Sequence, residues 1–201
     1  MMNVLIIGAT GTIGDAVHQT LLSKTDDYLT LFSRRATQLT IDPTRETAIN
    51  GNVLQPAELA VALKNQDAVF VALSGPMDQF AQSIVTAMEQ TNVTRLIFIT
   101  SMGIYNEIPA SVGANGNLEH NPMLQPYRTA ADLIEASNLD YTILRPGWFD
   151  NGSNNYEVTH KGDPFGGHDV SINSIADLVN RLLADKQLGA RESLGINRVG
   201  S

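Results

Sequence analysis

The chain has no cysteine. Disulfide bonds, thiolate nucleophiles and zinc–thiolate centres are excluded together. It also lacks an apolar run that could cross a bilayer as a helix, which takes about 20 residues; the longest is about Ala68 to Leu73. Basic residues are scarce. The 13 Lys and Arg stand against 21 Asp and Glu, giving a net charge of −8 and a pI near 4.8. A nucleic-acid surface needs clustered Lys and Arg to meet phosphates, and the lone basic dipeptide Arg34-Arg35 is no such footprint. No basic stretch precedes a signal-like core at the N-terminus, so the expectation is a cytoplasmic protein. A chain of 201 residues builds one substantial core rather than two. A single domain over residues 1–201 is expected, with 148–201 adding a small substrate-side region.

What is present begins at once. The apolar run Val4 to Ile7 leads directly into glycines at 8, 11 and 14, and a helical pattern follows with Ile13, Val17 and Leu21 on one face. Strand, tight turn and helix N-terminus in succession make a phosphate cradle. Free N–H groups of the first helical turn and the helix dipole both favour an anion there. The expected cradle residues are Gly8, Thr10, Gly11, Thr12 and Ile13. The spacing is G-x-x-G-x-x-G rather than G-x-G-x-x-G, and no Gly-Lys-Ser/Thr follows, which excludes a nucleotide-triphosphate loop.

Further apolar runs recur at Tyr28–Phe32, Glu46–Ile49, Ala68–Leu73, Arg95–Thr100 and Tyr141–Leu144. Most are rich in Val, Ile and Leu without polar alternation, as strands buried on both faces are. Helices are expected between them at Thr12–Ser23, Pro56–Lys64, Asp78–Thr91 and Met123–Ser137. Another is expected at Ser174–Asp185, opened by a Ser174-to-Asp177 capping box. Strand alternating with helix defines an α/β fold: a Rossmann-type, doubly wound parallel sheet with helices on both faces. Ligands of such sheets sit beyond the carboxyl ends of the strands. The irregular, glycine-rich stretches 106–122 and 150–169 follow strands at that edge and are expected to wall or lid a substrate site.

The strand ends carry the chemistry. The second closes on Ser33-Arg34-Arg35, where a dinucleotide's adenosine ribose would lie. An acid there would accept from the 2′-hydroxyl of NAD, whereas Ser33 and the Arg34 fork suit the 2′-phosphate of NADP. Asp26 and Asp27 precede the strand and so lie at its wrong end. NADP(H) is therefore expected over NAD(H). Asn52 and Val53, after the third strand, are placed for the adenine edge. Ala72, Leu73 and Ser74, after the fourth, are small enough to let a cofactor lie against the sheet edge.

These segments, together with Ile97-Phe-Ile-Thr-Ser101-Met-Gly-Ile-Tyr105 and Leu139-Asp-Tyr-Thr-Ile-Leu-Arg-Pro-Gly147, occur in an order that resembles the atypical short-chain dehydrogenase/reductases. More narrowly the chain resembles the NAD(P)H-binding proteins related to NmrA-like regulators and flavin reductases. The resemblance covers nearly the whole chain. It implies a nicotinamide dinucleotide across the strand ends, with Pro146 and Gly147 near the nicotinamide and Ser101 beside it.

Active short-chain reductases pair a serine with Tyr-x-x-x-Lys, because a phenol near pKa 10 needs a cation beside it to exchange protons at neutral pH. Ser101 and Tyr127 fill the first two roles here, but Ala131 stands where the lysine would be. Arg128 falls on another helix face, the pair Tyr141 and Arg145 belongs to a strand, and Tyr105 is a further candidate donor. Trp148 and Phe149 could wall a flat substrate. His18, His120, His160 and His168 match no metal-ligand spacing, and no metal is expected. The reading is an NADPH-dependent oxidoreductase of a small carbonyl, quinone or flavin-like substrate. The alternative is a non-catalytic NADP(H) sensor acting through a protein partner. A homodimer also stays open, and an epimerase is disfavoured by Arg34 and by the few residues after Pro146.

Overall fold

The computed structural model describes residues 1–201. Eight strands form one sheet in the order β3-β2-β1-β4-β5-β6-β10-β8. Its parallel members are β1 (Asn3–Ile7), β2 (Tyr28–Ser33), β3 (Glu46–Asn50), β4 (Ala68–Val71), β5 (Arg95–Ile99), β6 (Asp140–Pro146) and β10 (Glu192–Asn197). Only β8 (Glu157–Thr159) runs antiparallel, against β10. Two three-residue strands, β7 (Trp148–Asp150) and β9 (Asp169–Ser171), pair as a separate parallel ribbon. The doubly wound α/β architecture is the one expected from the alternating runs.

The central strands are buried along their length, which is why their sequences show no polar alternation. On one face, α1 (Thr12–Lys24) packs beside α5 (Ile172–Ala184), with Val17, Leu21, Val179 and Leu182 meeting Ile6, Leu31 and Phe70 of the sheet. On the other face lie α2 (Pro56–Leu63), α3 (Met77–Thr91) and α4 (Gln125–Glu135), whose Leu59, Ile84, Met88 and Ile134 meet Leu5, Val71 and Phe98.

Two expectations are corrected. First, α5 begins at Ile172, and Ser171 rather than Ser174 is its cap: the Ser171 Oγ accepts from the Ser174 amide at 3.0 Å. Ser174 is buried in the first turn, its hydroxyl 2.8 Å from that of Ser171, and so is unavailable to the next turn. Second, the stretches 106–122 and 150–169 contribute no residue to the groove that runs across the carboxyl ends of the strands. They fold onto each other, with Phe165 fully buried against Met102 and Ile108. The Phe165 amide donates to the Glu107 carbonyl at 3.2 Å, and the Asn117 amide side chain closes both backbone bonds of Ile108 at 2.9 Å. They support the turn after β5 from behind.

Candidate functional site: a groove across the strand ends

The turn from β1 into α1 is forced by two glycines. Gly8 sits at φ +91°, a left-handed conformation, and a Cβ on it would overlap the Ala72 carbonyl at the end of β4. A Cβ on Gly14 would strike the Gly8 carbonyl, so this glycine lets α1 start directly over the turn. The amides of Thr12, Ile13 and Gly14 then have no acceptor within the chain, and Gly11 supplies no side-chain cap. Three aligned donors at the positive end of a 13-residue helix form an anion seat.

From this turn a groove runs both ways along the carboxyl ends of the strands. One half, about 490 Å³, is lined by Gly8, Thr10, Ser33, Arg34, Asn52 and Val53 among others. The other, about 650 Å³, is lined by Thr12, Ile13, Ser101, Tyr127, Pro146 and their neighbours. Gly11, Ala72, Leu73 and Ser74 belong to both halves. Every residue expected to meet a cofactor, and both hydroxyl residues expected near a substrate, therefore face one continuous groove.

Its charge is opposite to that of the molecule. No Asp or Glu lines either half, while Arg34 and Arg35 line the first. The Arg34 guanidinium is exposed and has no partner in the chain. Ser33 Oγ accepts from the Arg35 amide at 3.2 Å, which holds the corner at the end of β2. Asn52 is set by a 2.7 Å bond from its amide to Glu58 and by its own Oδ1, which accepts from the Leu54 amide at 3.1 Å. Asp27 lies at the other end of β2, accepting from the Met2 amide at 2.7 Å.

At the second half, the hydroxyls of Thr100 and Ser101 donate to the carbonyls of Leu144 (3.1 Å) and Met102 (3.0 Å). The Tyr127 hydroxyl has no partner in the chain, and no Lys, Arg or His lines this half. Arg128 turns instead to Asp132 at 2.8 Å and to the Tyr105 ring, 4.9 Å from its centroid. Tyr105 is not in the groove. Its hydroxyl donates to Glu135 at 2.8 Å, and burial, reinforced by that carboxylate, pushes its phenol well above the ordinary range. A candidate donor on sequence grounds, it is a locked proton instead. Tyr141 and Arg145 do not meet either: the first lies under Arg191, and the second is buried against Glu107.

Glu107 is the residue that sequence reasoning missed. Buried, it accepts from Arg145 at 2.5 Å and from the amides of Gly103 and Tyr105 at 3.1 and 2.8 Å. The turn that carries Ser101 hangs on it. The one sequence signal was indirect, an arginine inside an apolar strand that had to find an anion. Each histidine faces a carboxylate: His18 meets Glu46, His120 Glu119, His160 Glu192 and His168 Asp169. No group of three or more His, Asp or Glu side chains converges as a metal site would require.

A family model of NAD(P)H-binding proteins matches residues 8–186, and the chain belongs to that family. It is 31% identical over 155 residues to the uncharacterized sugar epimerase YhfK of Bacillus subtilis, covering 73% of this chain and 72% of that one. An NAD(P)H azoreductase of Xenophilus azovorans is 24% identical over 148 residues, covering 73% of this chain but only 48% of the relative. Among solved structures, a short-chain dehydrogenase/reductase of Veillonella parvula in complex with NADP aligns at TM-score 0.88 and 30% identity, covering 99% and 95% of the two chains.

Proposed function

We propose that the groove binds NADP(H) and that the protein is an NADPH-dependent oxidoreductase of a small carbonyl, quinone or flavin-like substrate. One observation carries the cofactor preference: an unpaired Arg34 beside Ser33 at the end of β2, in a groove without a carboxylate. A 2′-phosphate is matched there by a guanidinium fork and a hydroxyl, whereas no acid is present for a 2′-hydroxyl. The free amides of Thr12 to Gly14 suit the pyrophosphate. Asn52 and Val53 face the adenine end, and Pro146, Ser101 and Tyr127 the nicotinamide end. The NADP complex of the Veillonella relative supports this reading. When bound, the cofactor supplies hydride; the chain's own task is to hold and orient it.

Titration of NADPH and NADH by calorimetry tests the cofactor. Replacement of Arg34 by alanine is expected to weaken NADPH about tenfold, the loss of one charge-assisted contact, and to leave NADH as it was. An unchanged NADPH/NADH ratio rejects the assignment. NADPH oxidation by a panel of quinones, flavins and aldehydes then tests catalysis. The cation-free surroundings of Tyr127 favour the second reading, a sensor that binds NADP(H) without turnover, if every acceptor fails.

A further inference from the structure

Arg34 and Arg35 reach the groove from an exposed corner, between the end of β2 and a single turn of 3-10 helix, Ala36–Gln38. That corner is held from both β2 and β3. The Ser33 hydroxyl accepts from the Arg35 amide, and the Ser33 carbonyl accepts from the Gly51 amide at 2.9 Å. A Cβ on Gly51 would overlap the Phe32 ring, so only glycine brings the chain this close. The remaining tie is a side chain. Asn50, the last residue of β3 and the register partner of Ser33, grips Thr37 with both ends of its amide. Its Oδ1 accepts from the Thr37 amide at 2.9 Å, and its Nδ2 donates to the Thr37 hydroxyl at 2.7 Å. Thr37 is the middle residue of the turn that follows the two arginines.

Asn50 itself lines neither half of the groove, whereas Asn52, two residues on, lines the first. Both Asn50 and Thr37 are exposed, so their clamp adds little to the stability of the fold. What it does is restrict the corner. Two bonds between the same two residues fix the turn in rotation as well as position, which one bond would not. The Arg34 guanidinium has no partner in the chain to order it. A long side chain that must be ordered together with its backbone when a ligand arrives costs affinity, and a corner fixed beforehand costs less. Resting on the dinucleotide reading of the groove, we propose that Asn50 is the positioning residue for Arg34. It holds the corner in the arrangement that presents the guanidinium to a 2′-phosphate, and so sets the choice between NADPH and NADH while touching neither. The effect is confined to one end. The Asn50 side chain bonds Thr37 alone, so the amides at the start of α1 and the residues around Ser101 and Tyr127, which serve both dinucleotides alike, lie outside its reach.

Calorimetric titration of the full chain with NADPH and with NADH, repeated on variants, tests the assignment. Asn50→Ala is expected to weaken NADPH about fivefold, the cost of ordering one long side chain and its corner on binding. Its NADH affinity should move by less than about twofold, and its melting temperature by less than about 2 °C, as for an exposed substitution. Thr37→Val removes one of the two clamp bonds and should act in the same direction to a smaller extent. The two changes together should be no worse than Asn50→Ala alone, because both break one clamp. In an Arg34→Ala background, Asn50→Ala should leave NADPH affinity where it was, which separates a residue acting through Arg34 from one acting on the whole fold. Equal losses for NADPH and NADH, or no loss for either, overturn the role of Asn50. The parent reading fails differently. If NADPH does not bind, or if Arg34→Ala by itself leaves the NADPH/NADH ratio unchanged, the cofactor assignment falls and takes Asn50 with it.

Discussion

Arg145 is the largest side chain in the protein with no access to water. Its guanidinium spans from Glu107 to the Ser193 hydroxyl (3.1 Å) and carbonyl (3.2 Å), with the Tyr105 and Phe165 rings on its faces at 5.2 and 5.5 Å. Because Glu107 also carries two amides of the turn after Ser101, the pair ties that turn to β6 and β10. Removing one partner strands a charge in the interior. Glu107→Ala is expected to cost about 3–5 kcal/mol in urea unfolding, and the double change Glu107→Ala with Arg145→Met to recover part of that loss. At this scale the glycines of the first turn were legible in the sequence, because positive φ and backbone contact leave only one residue type. Glu107 was not. It sits in an irregular stretch with no period, and its burial depends on an arginine that lies on a distant strand.

At the scale of elements, the apolar runs marked β1, β4, β5 and β6 because a strand covered on both faces has no polar positions to break the run. β10 escaped for the converse reason. Its sequence, Glu-Ser-Leu-Gly-Ile-Asn, buries Ser193 and Asn197, the first to accept from Arg145 and the second to donate to Glu157 at 2.8 Å. Interior hydrogen-bonding duties disguise it as a loop. β7, β8 and β9 are three residues each, too short for any period to show. The corrected start of α5 gives a direct test. Ser171→Ala removes the cap and is expected to cost about 1 kcal/mol, lowering the melting temperature by roughly 2–4 °C in a domain of this size. A loss confined to Ser174→Ala, with Ser171→Ala silent, would restore the capping box at 174.

Over the whole molecule, a net charge of −8 coexists with a groove free of carboxylates. The acidic residues are spent elsewhere, several on neighbouring cations such as Arg198 and Lys161. An anionic ligand therefore meets a local field unlike the average one, and binding should tighten the entire fold. At a hundredfold excess over its dissociation constant, NADP is expected to add about 2.7 kcal/mol to stability. That corresponds to a rise of roughly 5–11 °C in melting temperature, read by calorimetric scanning. A shift equal for NADP and NAD at the same concentrations would contradict the role given to Arg34.

The pairing of α1 with α5 has a consequence for how the protein comes into being. The helix whose first amides are free spans residues 12–24, yet much of the apolar surface that covers its back belongs to residues 172–184. During synthesis from the N-terminus, at about 5–20 residues per second, the two are separated by on the order of ten seconds. For that interval α1 lacks the helix it packs beside. The free amides at the start of α1 are thus translated well before the helix that fixes them in place.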